Sequence, residues 1–160
     1  MSKKAICPGS FDPVTVGHLD IIRRASRLFD EVVVVVMNNN AKNPLFTAEE
    51  RVEMLKKATA DMANVSVDRY DGLLAEYAKE KNANVLVKGL RAVSDFEYEF
   101  QMALTNKKLN HELDTVFLTT KAENMYLSSS LVRQVGAMGG DISEFVPTAI
   151  KEQVLARLCK

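Results

Sequence analysis

Glu31-Val-Val-Val-Val-Val-Met37 shows no alternation of polar and apolar residues. A strand with one face in water would alternate, so this run reads as a strand covered on both faces. Outward from it lie four more short β-branched runs, at Lys3–Cys7, Val65–Arg69, Asn84–Lys88 and Thr115–Thr119. Helical patterns separate them. Leu19, Ile22, Ala25 and Phe29 follow helical spacing after Gly17–His18. Thr47-Ala-Glu-Glu50 and Ser94-Asp-Phe-Glu97 both fit capping boxes, which predicts helices at about 48–60 and 95–109. Leu73–Lys81 reads as a shorter helix and Ser128–Met138 as another, stopped by Gly139-Gly140. Pro147 is expected in the first turn of a last helix ending near Leu158. Five β runs separated by helices, with no hairpin signal, predict an α/β fold with a doubly wound five-stranded parallel sheet. Ligands of such sheets bind outside the carboxyl ends of the strands, at the topological switch point. The segments just after the strands are therefore the informative ones.

The 160 residues predict one domain spanning 1–160, because a chain of this size buries enough surface for one ordinary core. Lys+Arg and Asp+Glu both number 21, so there is no basic excess of the kind a general nucleic-acid binder needs. Local clustering of cations remains compatible with that balance. The longest apolar run, Val32 to Met37, falls far short of the ~20 residues of a membrane span. Pro8, Asp12 and Pro13 interrupt any leader-like stretch. Cys7 and Cys159 lie at opposite ends without metal-ligand spacing, which points to a reduced, cytoplasmic protein. No G-x-G-x-x-G, P-loop, H-E-x-x-H, C-x-x-C or G-x-S-x-G motif occurs.

Three segments could carry chemistry. The first strand is followed by Pro8-Gly-Ser-Phe-Asp-Pro-Val-Thr-Val-Gly-His18. Gly9 and Gly17 permit close approach of a ligand, Ser10 offers a hydroxyl, and a helix starting at Gly17–His18 aims its free N–H groups at the same place. An ordinary βα turn with an exposed histidine is the plain alternative. His111, in a polar stretch, reads as a surface residue. The second segment is Asn124-Met-Tyr-Leu-Ser-Ser-Ser-Leu-Val-Arg133, where Ser128, Ser129 and Ser130 open a helix. One serine can be an N-cap, but three exceed what capping requires. The third is Val87-Lys-Gly-Leu-Arg-Ala-Val-Ser-Asp-Phe-Glu-Tyr-Glu99. Lys88 and Arg91 flank Gly89 at a strand's carboxyl end, which suits an anionic ligand, or else they are two solvated loop charges. Glu97 reads as the capping-box partner and Glu99 as free to bind. Lys42, after the second strand, is a further cation at the pocket mouth or simply exposed. Together these make an electrostatic trap for several phosphates, with no activated serine or cysteine to support covalent catalysis.

At this point the residues resemble a known family. Thr15-Val-Gly-His18 is similar to the T/H-x-G-H signature of the nucleotidyltransferase superfamily, and Leu127-Ser-Ser-Ser-Leu-Val-Arg133 to its I-S-S-S/T-x-x-R/K element. Within it, Pro8-Gly-Ser-Phe-Asp-Pro, Asn43-Pro-Leu-Phe-Thr and Gly89-Leu-Arg-Ala-Val-Ser-Asp-Phe-Glu-Tyr-Glu99 resemble bacterial phosphopantetheine adenylyltransferases over essentially the whole chain. The resemblance implies a Rossmann-like nucleotidyltransferase fold. It also implies transfer of AMP from ATP to 4′-phosphopantetheine, giving dephospho-coenzyme A and pyrophosphate with Mg²⁺. By the same resemblance His18 stabilises the transition state. Gly9, Ser10, Gly17, His18, Gly89, Leu90, Arg91, Glu99, Asn124, Met125, Tyr126, Leu127, Ser128, Ser129 and Ser130 bind ATP, and Ser10, Lys42, Leu74 and Lys88 bind phosphopantetheine. A homohexamer and feedback inhibition by coenzyme A are implied in the same way. Lys88 stands where the family carries arginine more often, and Asn124 where relatives are often aromatic. Two other readings stay open: the same reaction with another acceptor (a polyol phosphate or nicotinamide mononucleotide), and a non-catalytic nucleotide-sensing module.

Overall fold

In the computed structural model, which describes residues 2–38 and 43–159, five parallel strands form one sheet ordered β3-β2-β1-β4-β5. The strands are β1 (Lys4–Gly9), β2 (Glu31–Met37), β3 (Val65–Tyr70), β4 (Val85–Leu90) and β5 (Asp114–Thr119). Helices α1 (Val16–Leu28), α2 (Ala48–Ala58), α3 (Leu74–Glu80), α4 (Val93–Leu109), α5 (Ser129–Ala137) and α6 (Lys151–Leu158) complete the fold. The valine run behaves as its pattern predicts. Val32, Val34 and Val36 enter one core with Ala5 and Cys7, whereas Val33 and Val35 enter the other with Ile6. Successive side chains of a strand point to opposite faces, so a strand between two cores needs apolar residues at every position. Helices α1, α2, α5 and α6 supply the first core, through Ile22, Met54, Leu55, Val132 and Val154 among others. Ala75, Tyr77 and Ala78 of α3 supply the second, with α4 packed beside α3.

The chain runs β1 to β2 to β3 in one direction and then returns to place β4 on the other side of β1, which makes the β1/β4 boundary the switch point. Pairing there is short. The β1–β4 register holds only Ala5↔Val85 and Ile6↔Leu86, whereas β1 pairs with β2 from Lys4↔Glu31 to Gly9↔Val36. Beyond Ile6 and Leu86 the two strands part, and Pro8 has no N–H to offer either neighbour. A cleft opens between them.

Several element ends differ from the sequence-based expectation. Helix α4 begins at Val93 with Ala92 as its N-cap, so Ser94 lies inside the helix rather than at the N-cap position the expected box requires. Pro147 is not in the first turn of α6. It precedes a 3₁₀ turn at Thr148–Ile150, and α6 itself starts at Lys151. Proline fixes its own φ but does not choose between i+3 and i+4 bonding after it. A second 3₁₀ turn, Ala122–Asn124, separates β5 from α5. Helix α1 starts at Val16 rather than at Gly17–His18, because Thr15 caps it. Thr47 and Glu50 do form the expected box at α2.

Candidate active site

A cavity of about 400 Å³ occupies the cleft at the switch point. Pro8 and Gly9 from β1, Lys88 and Gly89 from β4, and the first turns of α1 and α5 line it. The two helix N-termini reach it because the loops before them are tied together. Ser129 Oγ donates to the Pro13 carbonyl (2.7 Å), and Arg91 Nη1 donates to the Leu127 carbonyl (2.7 Å). Residues more than a hundred positions apart are thus bonded neighbours.

The decisive local arrangement is at Thr15 and His18. Thr15 Oγ1 accepts the His18 backbone N–H (3.2 Å), while the Thr15 backbone N–H donates to His18 Nδ1 (3.0 Å). This is a capping box in which histidine replaces the usual Glu or Gln. Because Nδ1 accepts, it carries no proton, and the neutral ring must hold its proton on Nε2. Phe11 packs edge-on against the imidazole with ring centroids 5.1 Å apart, which restrains its tilt. Val16 N–H bonds the Phe145 carbonyl (2.9 Å) and Leu19 N–H the Thr15 carbonyl (3.0 Å), which leaves the Gly17 amide as the first-turn donor open to a ligand.

Burial and, secondarily, the Arg91 cation push the His18 imidazole from its ordinary 6.5 down to about 4. The Nδ1 bond acts in the same sense, since an imidazolium would set two N–H donors against each other. The unfolded chain takes up this proton as pH falls through 6.5, and the folded one only near 4, so the unfolded state holds more protons in between. Stability is therefore present above 6.5 and lost progressively as pH falls toward 4. His18→Gln, which rebuilds the box with a non-titrating acceptor, is expected to match the parent's melting temperature at pH 7.5. It should then lose less on acidification, as thermal melts at several pH values would show. A parent and variant that weaken in parallel would contradict the assignment.

The serines divide their work. Ser128 Oγ accepts the Leu131 N–H (3.1 Å) as N-cap, and Ser130 Oγ accepts from Arg133 Nη2 (3.2 Å), so both keep their own hydroxyl proton for a ligand. Ser129 spends its proton on Pro13, and only its backbone N–H, at the helix start, remains as a donor. The cations are paired. Lys88 Nζ lies 2.9 Å from Glu99 Oε2, and Arg91 Nε lies 3.5 Å from Asp95 Oδ2. Glu99 is therefore not free as the sequence suggested: its place on α4 sets it, mostly buried, opposite Lys88. The pair is close but misaligned, and Glu99 Oε2 has no satisfied hydrogen bond.

Gly9, Ser10, Gly17, His18, Lys88, Gly89, Arg91, Glu99, Asn124, Leu127, Ser128 and Ser129 all line the cavity. Ser130 lines a smaller adjoining one of about 170 Å³. Met125 and Tyr126 are exposed, Leu90 ends β4 outside the lining, and Leu74 packs with Met37 and Tyr70 against the second core. Lys42 lies outside the described residues. His111 is exposed, as its polar surroundings suggest. Gly89 serves packing: a Cβ there would meet Ile21 Cγ1 at 2.9 Å, so glycine lets α1 lie close on β4. A Cβ on Gly17 would meet only ordinary contacts. Sequence reasoning missed Asp95, Thr120 and the Thr15 cap, although the Thr-x-x-His spacing was a readable signal for the last. It also missed the buried Arg51, for which no signal exists in an amphipathic helix pattern.

A switch-point cavity with two helix N-termini, paired cations and one Nε2–H donor suits an anionic, phosphate-bearing ligand. The cytidylyltransferase-like family model matches residues 6–135. The phosphopantetheine adenylyltransferase of Caldanaerobacter subterraneus subsp. tengcongensis is 57% identical over 98% of both chains. That of Lachnoclostridium phytofermentans is 55% identical over 92% of this chain and 91% of its own. The chain belongs to the phosphopantetheine adenylyltransferase family. For the fold alone, a bifunctional NMN adenylyltransferase/ADP ribose pyrophosphatase from Francisella tularensis, solved with AMP and a manganese ion, superposes with a TM-score of 0.72 at 15% identity. The match covers 100% of this chain and 50% of that one.

Proposed function

We propose that the switch-point cavity holds ATP and 4′-phosphopantetheine together, with the α-phosphate beside His18. The chain is a nucleotidyltransferase that transfers AMP from ATP to 4′-phosphopantetheine, giving dephospho-coenzyme A and pyrophosphate. An oxygen of the acceptor phosphate attacks the α-phosphorus, and the bond to the bridging oxygen of the β-phosphate breaks. The acceptor is already anionic at neutral pH, so no general base is required. Catalysis rests on alignment and on stabilising charge as it develops. The observation that carries this reading is the Thr15–His18 box, which leaves Nε2–H as the ring's one free donor on a residue that lines the cavity. The open Gly17 amide, the first turn of α5 and Arg91 complement the triphosphate. Lys88 offers charge to the acceptor phosphate.

Among the described residues no group of three or more His, Cys, Asp or Glu could hold a metal ion. Asp95 and Glu99 both face cations. The residues present fit Mg²⁺ as an ion carried in by the nucleotide phosphates with several of its own waters. When bound, it would neutralise phosphate charge. Coenzyme A shares both halves of the product, which is the chemical reason for it to compete here as a feedback inhibitor.

Pyrophosphate release measured with phosphopantetheine, nicotinamide mononucleotide and glycerol phosphate in turn tests the reading. Fast turnover is expected with phosphopantetheine alone. Turnover with another acceptor alone reassigns the substrate, and none with any acceptor defines a sensor.

Helix α4 supports self-association into the hexamer. Phe96, Tyr98, Phe100, Met102 and Leu104 are all exposed on it. A helix that exposes five large apolar side chains gains by covering them, and another copy of this chain supplies a cover. Leu104→Glu is expected to shift the mass seen in solution toward smaller species, as light scattering would detect; an unchanged mass would remove α4 from the interface. One sheet with a core on each face supports a single domain. Two free cysteines, and no helix of the described residues long and apolar enough to cross a membrane, support a cytoplasmic location.

A further inference from the structure

Arg51 is a charged side chain with only 2% of its surface exposed, and the reaction as described makes no use of it. Among the described residues no carboxylate lies within ion-pair distance, yet its fork reaches three chain segments. Nη1 donates to the Ser10 carbonyl (2.9 Å), Nε to the Phe46 (3.1 Å) and Thr47 (3.3 Å) carbonyls, and Nη2 to Asn38 Oδ1 (3.4 Å). Asp12, 7% exposed, binds the same two loops from the other side. Its Oδ2 accepts the Leu45 N–H (2.8 Å) and its Oδ1 the Phe46 N–H (2.9 Å). Two buried opposite charges thus join the turn after β1 to residues 43–47 after β2, each satisfied mainly by backbone. Buried charges are costly unless their hydrogen bonds are met, and apolar residues could have closed this junction more cheaply. A guanidinium here implies a demand for geometry.

Ser10 is the residue whose place depends on it. Ser10 lines both the main cavity and the smaller one, and Arg51 lines the smaller. We propose that Arg51 is a positioning residue for the acceptor side of the site, a buried fork that holds Ser10 at the junction of the two cavities and keeps residues 43–47 aligned with it. This rests on the adenylyl-transfer reading above, with Ser10 on the acceptor side as the family resemblance implies. Lysine cannot replace the fork, because a single ammonium on a flexible stem does not hold three planar directions at once.

The test compares the parent chain with Arg51→Lys. Arg157 separately grips the Leu45 carbonyl (2.7 Å) and Glu50 (2.6 Å), so the loop retains an anchor. The expected result is a KM for phosphopantetheine raised about tenfold or more, with the Kd of a non-hydrolysable ATP analogue within about threefold. Should Arg51→Lys not fold, Asp12→Asn, which keeps the shape and weakens one of the two amide contacts, is expected to show the same split. In Arg51→Ala, added guanidinium at non-denaturing concentration should restore part of the acceptor KM, which a purely structural role does not predict. A lower melting temperature with both substrate constants unchanged would overturn the proposal. So would equal loss of both affinities. If the parent chain itself gave no turnover with phosphopantetheine, the functional reading would fall and this inference with it.

Discussion

His18→Ala is expected to lower kcat by ~10²–10³, with much less effect on the affinity for either substrate. The neutral imidazole is held at Nδ1 by the Thr15 N–H, so its one proton sits on Nε2, the donor that the proposed reading sets beside the α-phosphate. Such a donor gains most of its strength in the transition state, and its loss therefore falls on kcat rather than on binding. Alanine also removes the acceptor of the capping box, which costs about 1 kcal/mol of helix capping and confuses a loss of fold with a loss of chemistry. His18→Gln separates the two. Its amide oxygen can accept the Thr15 N–H, so the variant should keep its melting temperature at neutral pH while still losing most of its turnover. Steady-state rates, together with equilibrium binding of an ATP analogue, decide the matter. Loss of both substrates' affinity at normal kcat would refute the role.

Arg91→Met should weaken ATP binding by ~10–100-fold, because a charge-assisted hydrogen bond contributes ~1.5–3 kcal/mol. Two effects add. One of the two cations that line the cavity is lost, and the Leu127 carbonyl, at a residue only 4% exposed, loses its donor. Leu127 immediately precedes the serines, so the first turn of α5 loosens as well. Arg91→Lys keeps the charge but cannot span both Leu127 and Asp95, and an intermediate loss is expected. Calorimetry with a non-hydrolysable ATP analogue measures both variants. Unchanged affinity would show that neither the Arg91 cation nor its hold on Leu127 contributes to ATP binding.

Local pattern carried much of this reading. An all-apolar strand can only lie between two cores, so Val32–Val36 announced a sheet covered on both faces, and the site followed from the rule that such sheets bind at strand ends. Thr47 and Glu50 formed their box because both partners lie within one helical turn. The same logic failed at Ser94 and Glu97, where α4 starts earlier, next to β4, and tertiary placement overrode a weak local signal. Glu99 looked free because a one-dimensional reading does not show which strand faces a helical turn; the structure puts Lys88 there.

Residue type and short-range periodicity determined the strands, most helices, the two signature motifs and the chemistry those motifs permit. Each of these depends on neighbours a few positions away. Only the tertiary structure decided that β1 and β4 part after two residue pairs, that Ser129 reaches Pro13, and that Arg51 and Asp12 bind two loops together. These contacts link residues 33 to 116 positions apart, and their partners are mostly backbone groups, which every residue carries alike. Side-chain identity along the chain therefore holds no trace of them until the sheet brings the loops together.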